Sequence, residues 1–414
     1  MDSLSKEKKN FKTYLLNFKT YLLNYLKEFK VLLRKNIREY GMFIALFIIM
    51  ITFSILTNGT FMSPRNLSNL INSTGYVAVL TIGMTLILII RHIDLSVGFV
   101  AGFLGAIVAI LMTSMKLNTG VSILIILAMG IVIGLFYGFL IGKVGIPAFV
   151  VSLAGMLVFR GLLMLATQKT GTIIIPNDSF NDIGNGFIPD PLKLVDGYHS
   201  LTLLLGIVGI VLYIITEIRN RKNMQKYEFE VLSKSMFVSK LIFVSLLIGY
   251  VVWMLSRYNG FSWTVVIVLI VTAIYHFLTT KTVLGRQIYA VGGNPEAAKL
   301  SGINVTKVTY FVFASMSMLA ALSGVLYTSR LQSATTTAGL GFELDAIAAA
   351  YVGGVSTSGG VGKITGSLIG ALVMSSLTSG MNLMGVNISY QYIIRGIILV
   401  VAVVFDIITR RKKG

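Results

Sequence analysis

The feature that most constrains this chain is the spacing of its charges. They gather in short patches between apolar runs of about 16 to 22 residues, the length that spans a hydrocarbon core as a helix. In lipid every backbone polar group must be paired internally, so only helices and closed barrels cross. A barrel wants alternating apolar and polar residues, and runs such as 121–141 show no such alternation. Charged residues are 12% of the chain, about half the roughly 25% of soluble domains. The reading is an all-α polytopic membrane protein.

Twelve segments qualify as spans: 42–57, 70–90, 97–115, 121–141, 147–167, 201–216, 241–255, 262–279, 308–328, 343–355, 364–382 and 389–408. The tenth is short and opens on two acids, Glu343 and Asp345. About 10 to 12 transmembrane helices are therefore expected, some of them broken or re-entrant. If 343–355 stops short, a second break must keep both termini on one side, and His92–Gly98 is where it is expected. The domain reading is a cytoplasmic amphipathic segment at 1–41, a transmembrane domain at 42–408 and a basic cytoplasmic tail at 409–414.

Lys and Arg set the orientation. With the N-terminus inside, inner segments hold about 27 of the 35, the asymmetry expected of cytoplasmic flanks. The outer side holds Arg65, Lys116, Lys169, Lys193, Arg257 and Arg330, while Arg160 and Arg395 fall inside spans. Both termini are thus read as cytoplasmic, and the acidic loop 168–200 as external. The same asymmetry explains the net charge of +19 without nucleic acid. Near the N-terminus, Asn-Phe-Lys-Thr-Tyr-Leu-Leu occurs at 10–16 and again at 17–23. That repeat predicts a basic, aromatic helix lying on the inner membrane surface, with a coiled-coil partner as the rival reading.

Several patterns concern packing. Gly130, Gly134, Gly138 and Gly142 recur every fourth residue and form a smooth stripe for close helix approach. Packing within the chain is favoured over a dimer interface, and the same holds for Gly362, Gly366 and Gly370. Residues 358–363, Ser-Gly-Gly-Val-Gly-Lys, imitate a phosphate-binding loop, but Ile364 replaces the required Ser or Thr and Thr357 the first glycine. With no cysteine and three scattered histidines, no metal-ligand spacing is present. Neither a paired-carboxylate nor a Ser/His/Asp arrangement points to an enzyme, and no cofactor is expected.

The stretch Gly292-Gly-Asn-Pro-Glu-Ala-Ala-Lys-Leu-Ser-Gly-Ile303 carries its own helix signals. Asn294 can cap, Pro295 suits a first turn, and Glu296 complements the positive end of the dipole. Ala297 and Ala298 are helix formers, and Gly302 ends the element. The expectation is a short cytoplasmic helix whose small-residue face another protein can grip.

Here the sequence resembles a family. Glu296-Ala-Ala-x-x-x-Gly302 is similar to the coupling-helix motif of ABC importer permeases. Gly83-Met-Thr-Leu with His92-Ile-Asp-Leu-Ser-Val-Gly98, Ile146-Pro-Ala-Phe-Val150, Glu343-Leu-Asp-Ala-Ile-Ala-Ala349, Gly353-Gly-Val-Ser356 and Gly366-Ser-Leu-Ile-Gly-Ala371 follow in the order of the ribose/galactose/xylose branch. The resemblance covers roughly residues 60–408, and an extra basic loop and span pair at 217–262 resembles the longer xylose or multiple-monosaccharide permeases. It implies a sugar-importing permease in a bacterial cell membrane. Its implied partners are an ATPase that hydrolyses ATP, an extracytoplasmic sugar-binding protein and a second permease copy. Nucleoside import is the close alternative. A gradient-driven secondary transporter is more distant, since it wants carboxylates near the midplane and these acids are read as lying near span ends.

Candidate pathway or gate residues follow from intramembrane polarity. His92, Asp94 and Ser96 are read as a capped break and local gate, with sugar contact as the rival. Asn69 and Asn72, with Asn66, recur every third residue, either serving neighbouring helices or lining a sugar path. Glu343 and Asp345 are expected to pair with Arg395 or Arg160, with Gln391 one turn from Arg395.

Overall fold

The computed structural model describes residues 37–411. The N-terminal repeat, and with it the predicted surface helix, lies outside the described residues. By contacts the described residues divide into two units, one built on Leu201–Trp253 and the other on Met42–Ser200 with 254–411.

The described residues form fifteen α-helices and one two-stranded ribbon. In order these are α1 (Ile37–Leu56), α2 (Pro64–Ile89), α3 (Val97–Thr113), α4 (Thr119–Phe139), α5 (Ala148–Thr167), β1 (Thr172–Ile174) and α6 (Asp178–Asn185). They continue with α7 (Ser200–Lys226), α8 (Lys234–Ser256), α9 (Trp263–Lys281), α10 (Val283–Gly293), α11 (Pro295–Leu300) and α12 (Val305–Leu331). The last are β2 (Ser333–Thr335), α13 (Phe342–Val352), α14 (Ile364–Leu383) and α15 (Ile388–Arg411). Among the described residues, nine helices are long and apolar enough to cross a membrane. The remaining predicted segments fall on α1, whose apolar part is Gly41–Leu56, and on the shorter α3 and α13.

Local chemistry sets the boundaries. Asn118, Ser262 and Asn304 each accept a hydrogen bond from a first-turn amide of α4, α9 and α12, satisfying donors that helix ends otherwise leave open. Ser63 does the same for α2, with Pro64 in its first turn. The α4 helix ends in a π-helical turn over Leu140–Val144 and stops at Gly145, whose φ is +85°.

In the larger unit, α2 and α12 occupy the core. Their 26 and 27 residues make each about 40 Å long. The stripe on α4 seats α12 directly: a Cβ on Gly134 would stand 2.2 Å from the Phe313 carbonyl oxygen, and one on Gly130 2.6 Å from that of Ser317. Gly366 and Gly370 of α14 meet the Gly353 and Ala349 carbonyls at the end of α13 in the same way. Both stripes are therefore filled from within the chain. At one end of the unit β1 pairs antiparallel with β2, Thr172 opposite Thr335.

Within the smaller unit, α7 and α8 make an antiparallel hairpin. Its ends are tied by Gly206 against Val252 and by Lys240 to Glu217 at 2.9 Å.

Candidate functional site

Two polar junctions lie at opposite ends of the long α2, with a pair of helix breaks between them. The first junction surrounds the C-terminal end of α2. The Ile89 carbonyl accepts from Gly360 N at 2.8 Å, and the Arg91 Nε donates to the Gly292 carbonyl at 2.6 Å. A second guanidinium nitrogen donates to the Gly293 carbonyl. Tyr289 Oη of α10 donates to the Gly362 carbonyl at 2.7 Å. Gly359 and Gly360 have φ of +74° and +68°, a region favouring glycine. The stretch that imitates a phosphate-binding loop is thus a tight turn wedged between α2 and α10. Its neighbour Thr357 donates its amide and hydroxyl to Asp406 of α15, at 3.2 and 3.0 Å. Sequence reading passed over Arg91 and Asp406, although each is a charge at the edge of an apolar run.

Beside this junction sits α11. Asn294 accepts from the amides of Glu296 and Ala297 at 3.0 and 3.1 Å, Pro295 opens the helix, and Gly302 follows it at φ +82°. One expected member of the outward face is corrected: Ala298 is only 4% exposed and seats the helix on the core. The exposed face presents Glu296, Ala297, Lys299 and Leu300, the last 90% exposed. An isolated leucine is unremarkable; one capping a short polar helix is a ready apolar contact.

The breaks come next. From α2 the chain turns at Arg91, runs without helix through His92, Ile93 and Asp94, and restarts as α3 at Val97. Asp94 is fully buried, and its Oδ1 accepts from the Ser96 amide and hydroxyl at 2.9 and 2.6 Å. His92 lies against the Phe313 ring, 5.9 Å between centroids. Two atoms there, Asp94 Oδ2 and Tyr137 Oη, are buried without hydrogen-bond partners. Gly155 makes room, since a Cβ on it would stand 1.8 Å from the Tyr137 hydroxyl.

The second break precedes α13. Gly339 and Gly341 have φ of +86° and +80°, and the backbones of Gly339 and Gly98 cross in direct contact. A Cβ on Gly339 would stand 1.9 Å from the Gly98 carbonyl oxygen, and one on Gly98 2.4 Å from Glu343 Oε2. The His92–Gly98 and Glu343–Ala349 motifs, 245 residues apart at Gly98 and Glu343, therefore meet where two helices begin. The compensating break expected at His92–Gly98 is the first of the two.

The crossing also fixes where the acids stand along α2. The α13 helix has 11 residues, about 16 Å, and it ends at Gly353, next to the Arg91 junction. Glu343 therefore sits in the first turn of α13, about 15 Å from the Arg91 junction and beside Tyr76 at the middle of α2. The pairing is also narrower than expected. Arg395 reaches Asp345, at 3.2 Å with both side chains mostly buried. Arg160 lies over the Phe99 ring instead, and Glu343 pairs with neither arginine; its Oε2 is buried without a partner. Gln391 donates to Asn382 Oδ1 and the Val386 carbonyl. Beside Glu343, Tyr76, Tyr327 and Phe342 form a ring cluster with centroids 4.8 to 5.1 Å apart. Sequence reading passed over these aromatics because they lie on three separate elements.

The second junction gathers the asparagines. Asn66 donates to the Phe61 carbonyl at 2.8 Å, Asn69 accepts from Arg330 at 3.3 Å, and Asn72 Oδ1 accepts from Ser262. Arg330 also donates to Asn185 at 2.9 Å. The three amides thus serve three different neighbours and form no shared face with Glu343 or Asp94.

Comparison with known proteins agrees with this architecture. Residues 66–403 match the family described as branched-chain amino acid transport system / permease component. The chain is 37% identical over 378 residues to the xylose transport system permease protein XylH of Haemophilus influenzae, covering 91% of this chain and 98% of that one. It is 35% identical to the XylH of Escherichia coli, covering 91% and 93%. The ribose import permease protein RbsC of Haemophilus influenzae is 34% identical, covering 91% and 95%. No solved structure matches the chain.

Proposed function

The chain belongs to this permease family, and from that premise we propose that it is the membrane-spanning subunit of an ATP-driven importer for a pentose sugar. The observation that carries the sugar is the identity to two xylose permeases over nine-tenths of the chain. Its partners are a separate ATPase, an extracytoplasmic sugar-binding protein and a second permease copy. Both termini and the α11 end face the cytoplasm, in keeping with the Lys and Arg asymmetry; the junction of Asn69 and Arg330 faces outward.

The mechanism follows from the connections. The ATPase grips the exposed Glu296, Ala297, Lys299 and Leu300. Displacing α11 moves α10, whose Gly292 and Gly293 carbonyls hold Arg91. Arg91 ends α2, and Gly360 and Gly362 tie the same junction to the loop joining α13 and α14. A push from the cytoplasm thus reaches both helix breaks through packed backbone, a rigid-body route of the kind switching proteins use. At the breaks, Glu343 and the Asp94–Ser96 turn offer acceptors for hydroxyls, and Tyr76, Tyr327 and Phe342 offer an apolar wall. An apolar wall with few placed polar groups is the usual make-up of a small-molecule site. Mid-depth carboxylates also suit gradient-driven transport; family membership, not the position of the acids, decides against it.

The test is reconstitution of the chain with its ATPase and binding protein in liposomes, measuring uptake of labelled xylose, ribose and adenosine with and without ATP. ATP-dependent pentose uptake is expected, and uptake of adenosine alone would overturn the sugar reading. Glu296→Lys or Gly302→Asp should abolish uptake while the protein still inserts; normal coupling in either variant would remove α11 from the mechanism. The chain has no native cysteine, so a single cysteine at position 300 reports sidedness. It should react with a membrane-impermeant thiol reagent only from the cytoplasmic face.

A further inference from the structure

The α7–α8 hairpin holds an open groove of about 830 Å³ that no transport step uses. Ile210 and Ile214 wall it on α7, and Leu241, Leu246 and Trp253 on α8. It exists because Gly249 has no side chain: a Cβ there would meet only the tip of Ile210, at 3.8 Å. From Leu241 to Trp253 the groove follows α8 for about 18 Å, close to the roughly 15 Å depth of one leaflet. The lining is almost wholly apolar. Among the lining residues, Ser245 has its Oγ buried without a hydrogen-bond partner.

The groove has a charged end. Residues 217–240 carry six cations against three carboxylates. Arg221 lies two turns beyond Ile214 on the same face of α7. Its guanidinium stacks 4.6 Å from the Phe237 ring, and its Nη1 is buried without a partner. Lys234 lies two turns before Leu241 on the matching face of α8. Lys240 is held by Glu217 at the mouth.

We propose that this groove binds an anionic glycerophospholipid. One acyl chain lies along α8 over Gly249, Ser245 donates to a glycerol ester carbonyl, and the phosphate sits among Arg221, Lys234 and Lys240. Ser245 stands about 7 Å along the helix from Lys240, which places an ester below a phosphate at the mouth. Charge decides between occupants. A second copy of the hairpin brings an identical basic end and is repelled where an acidic headgroup is attracted.

The test uses the full chain in nanodiscs of equal phosphatidylglycerol and phosphatidylcholine, counting co-purified lipid by native mass spectrometry after delipidation. Phosphatidylglycerol should be retained over phosphatidylcholine by about 30-fold or more, since two or more cations contribute about fivefold each. Gly249→Leu, which fills the groove from an open position, should abolish retention. Arg221→Gln with Lys234→Gln, at the exposed end, should lower it about 30-fold. Equal retention of the two lipids, or full retention in both variants, would overturn the proposal. So would a change of oligomeric mass in Gly249→Leu with lipid retention intact, which marks the groove as a protein interface.

Discussion

Helices α2 and α12 and helices α7 and α8 are all long enough to cross a membrane, yet they differ in a direction opposite to that of a soluble protein. In α2 and α12, 83% and 72% of the most apolar window is buried; in α7 and α8 the shares are 11% and 17%. The buried pair is the less apolar of the two. It carries Thr74, Thr81 and Thr85 on α2 and Ser315, Ser323 and Ser329 on α12, all buried. These hydroxyls are used: Thr85 donates to Ser367, Ser323 to the Tyr76 carbonyl at 3.0 Å and Ser329 to the Phe180 carbonyl at 2.6 Å. Lipid tails are as apolar as leucine, so burying leucine between helices gains little. Close approach over small residues and interhelical hydrogen bonds hold such a bundle instead. High hydropathy marks what this protein shows to lipid, and small and polar residues mark what it packs.

Substitutions can break that contrast. The largest effect is expected at the crossing of the two breaks. Gly339→Val puts a side chain where the Gly98 carbonyl already stands and at a φ of +86°. It should cost about 5 kcal/mol or more, beyond the range of ordinary substitutions, and leave no monodisperse peak in fluorescence-detected size exclusion. Next is the buried ion pair. Asp345→Asn or Arg395→Gln leaves a charge uncompensated and should lower stability by about 3–5 kcal/mol. Thermal unfolding in detergent measures this, and the exchange Asp345→Arg with Arg395→Asp should recover part of the loss. Smallest is Gly209→Leu on α7, where a Cβ meets nothing within 4 Å. Its effect should stay within about 0.5 kcal/mol. If Gly209→Leu were as damaging as Gly339→Val, the contrast between the packed and lipid-facing helices would fail.

Much of the larger unit's layout was legible because it rests on one-dimensional signals. All twelve apolar segments appear as helices, and the weak one at 343–355 is the short α13. The capping of α11 was readable too, since Asn294, Pro295 and Gly302 act within a few residues of one another. What resisted reading depends on direction and distance. Small-residue content marked Ala298 for an outward face, but helix phase turned it into the core. Two arginines were available for two acids, and only packing awarded Arg395 to Asp345 and left Glu343 alone. The glycine-rich stretch at 358–363 lacks the Ser or Thr and the first glycine of a phosphate-binding loop. Its use as the wedge between α2 and α10 needs the Ile89 carbonyl, 271 residues before Gly360 in the chain.

By itself the sequence determined that this is a bundle of membrane helices, where most of them start and stop, and which family it joins. Hydropathy, caps and motif order are local, and a bilayer leaves the backbone no alternative to helix. The tertiary structure alone decided that two helices begin in mid-bundle and meet at Gly98, Gly339 and Glu343, and that Arg91 links α11 to them. Those contacts join residues hundreds of positions apart through bare backbone, and nothing in a local pattern records which carbonyl a distant glycine will face.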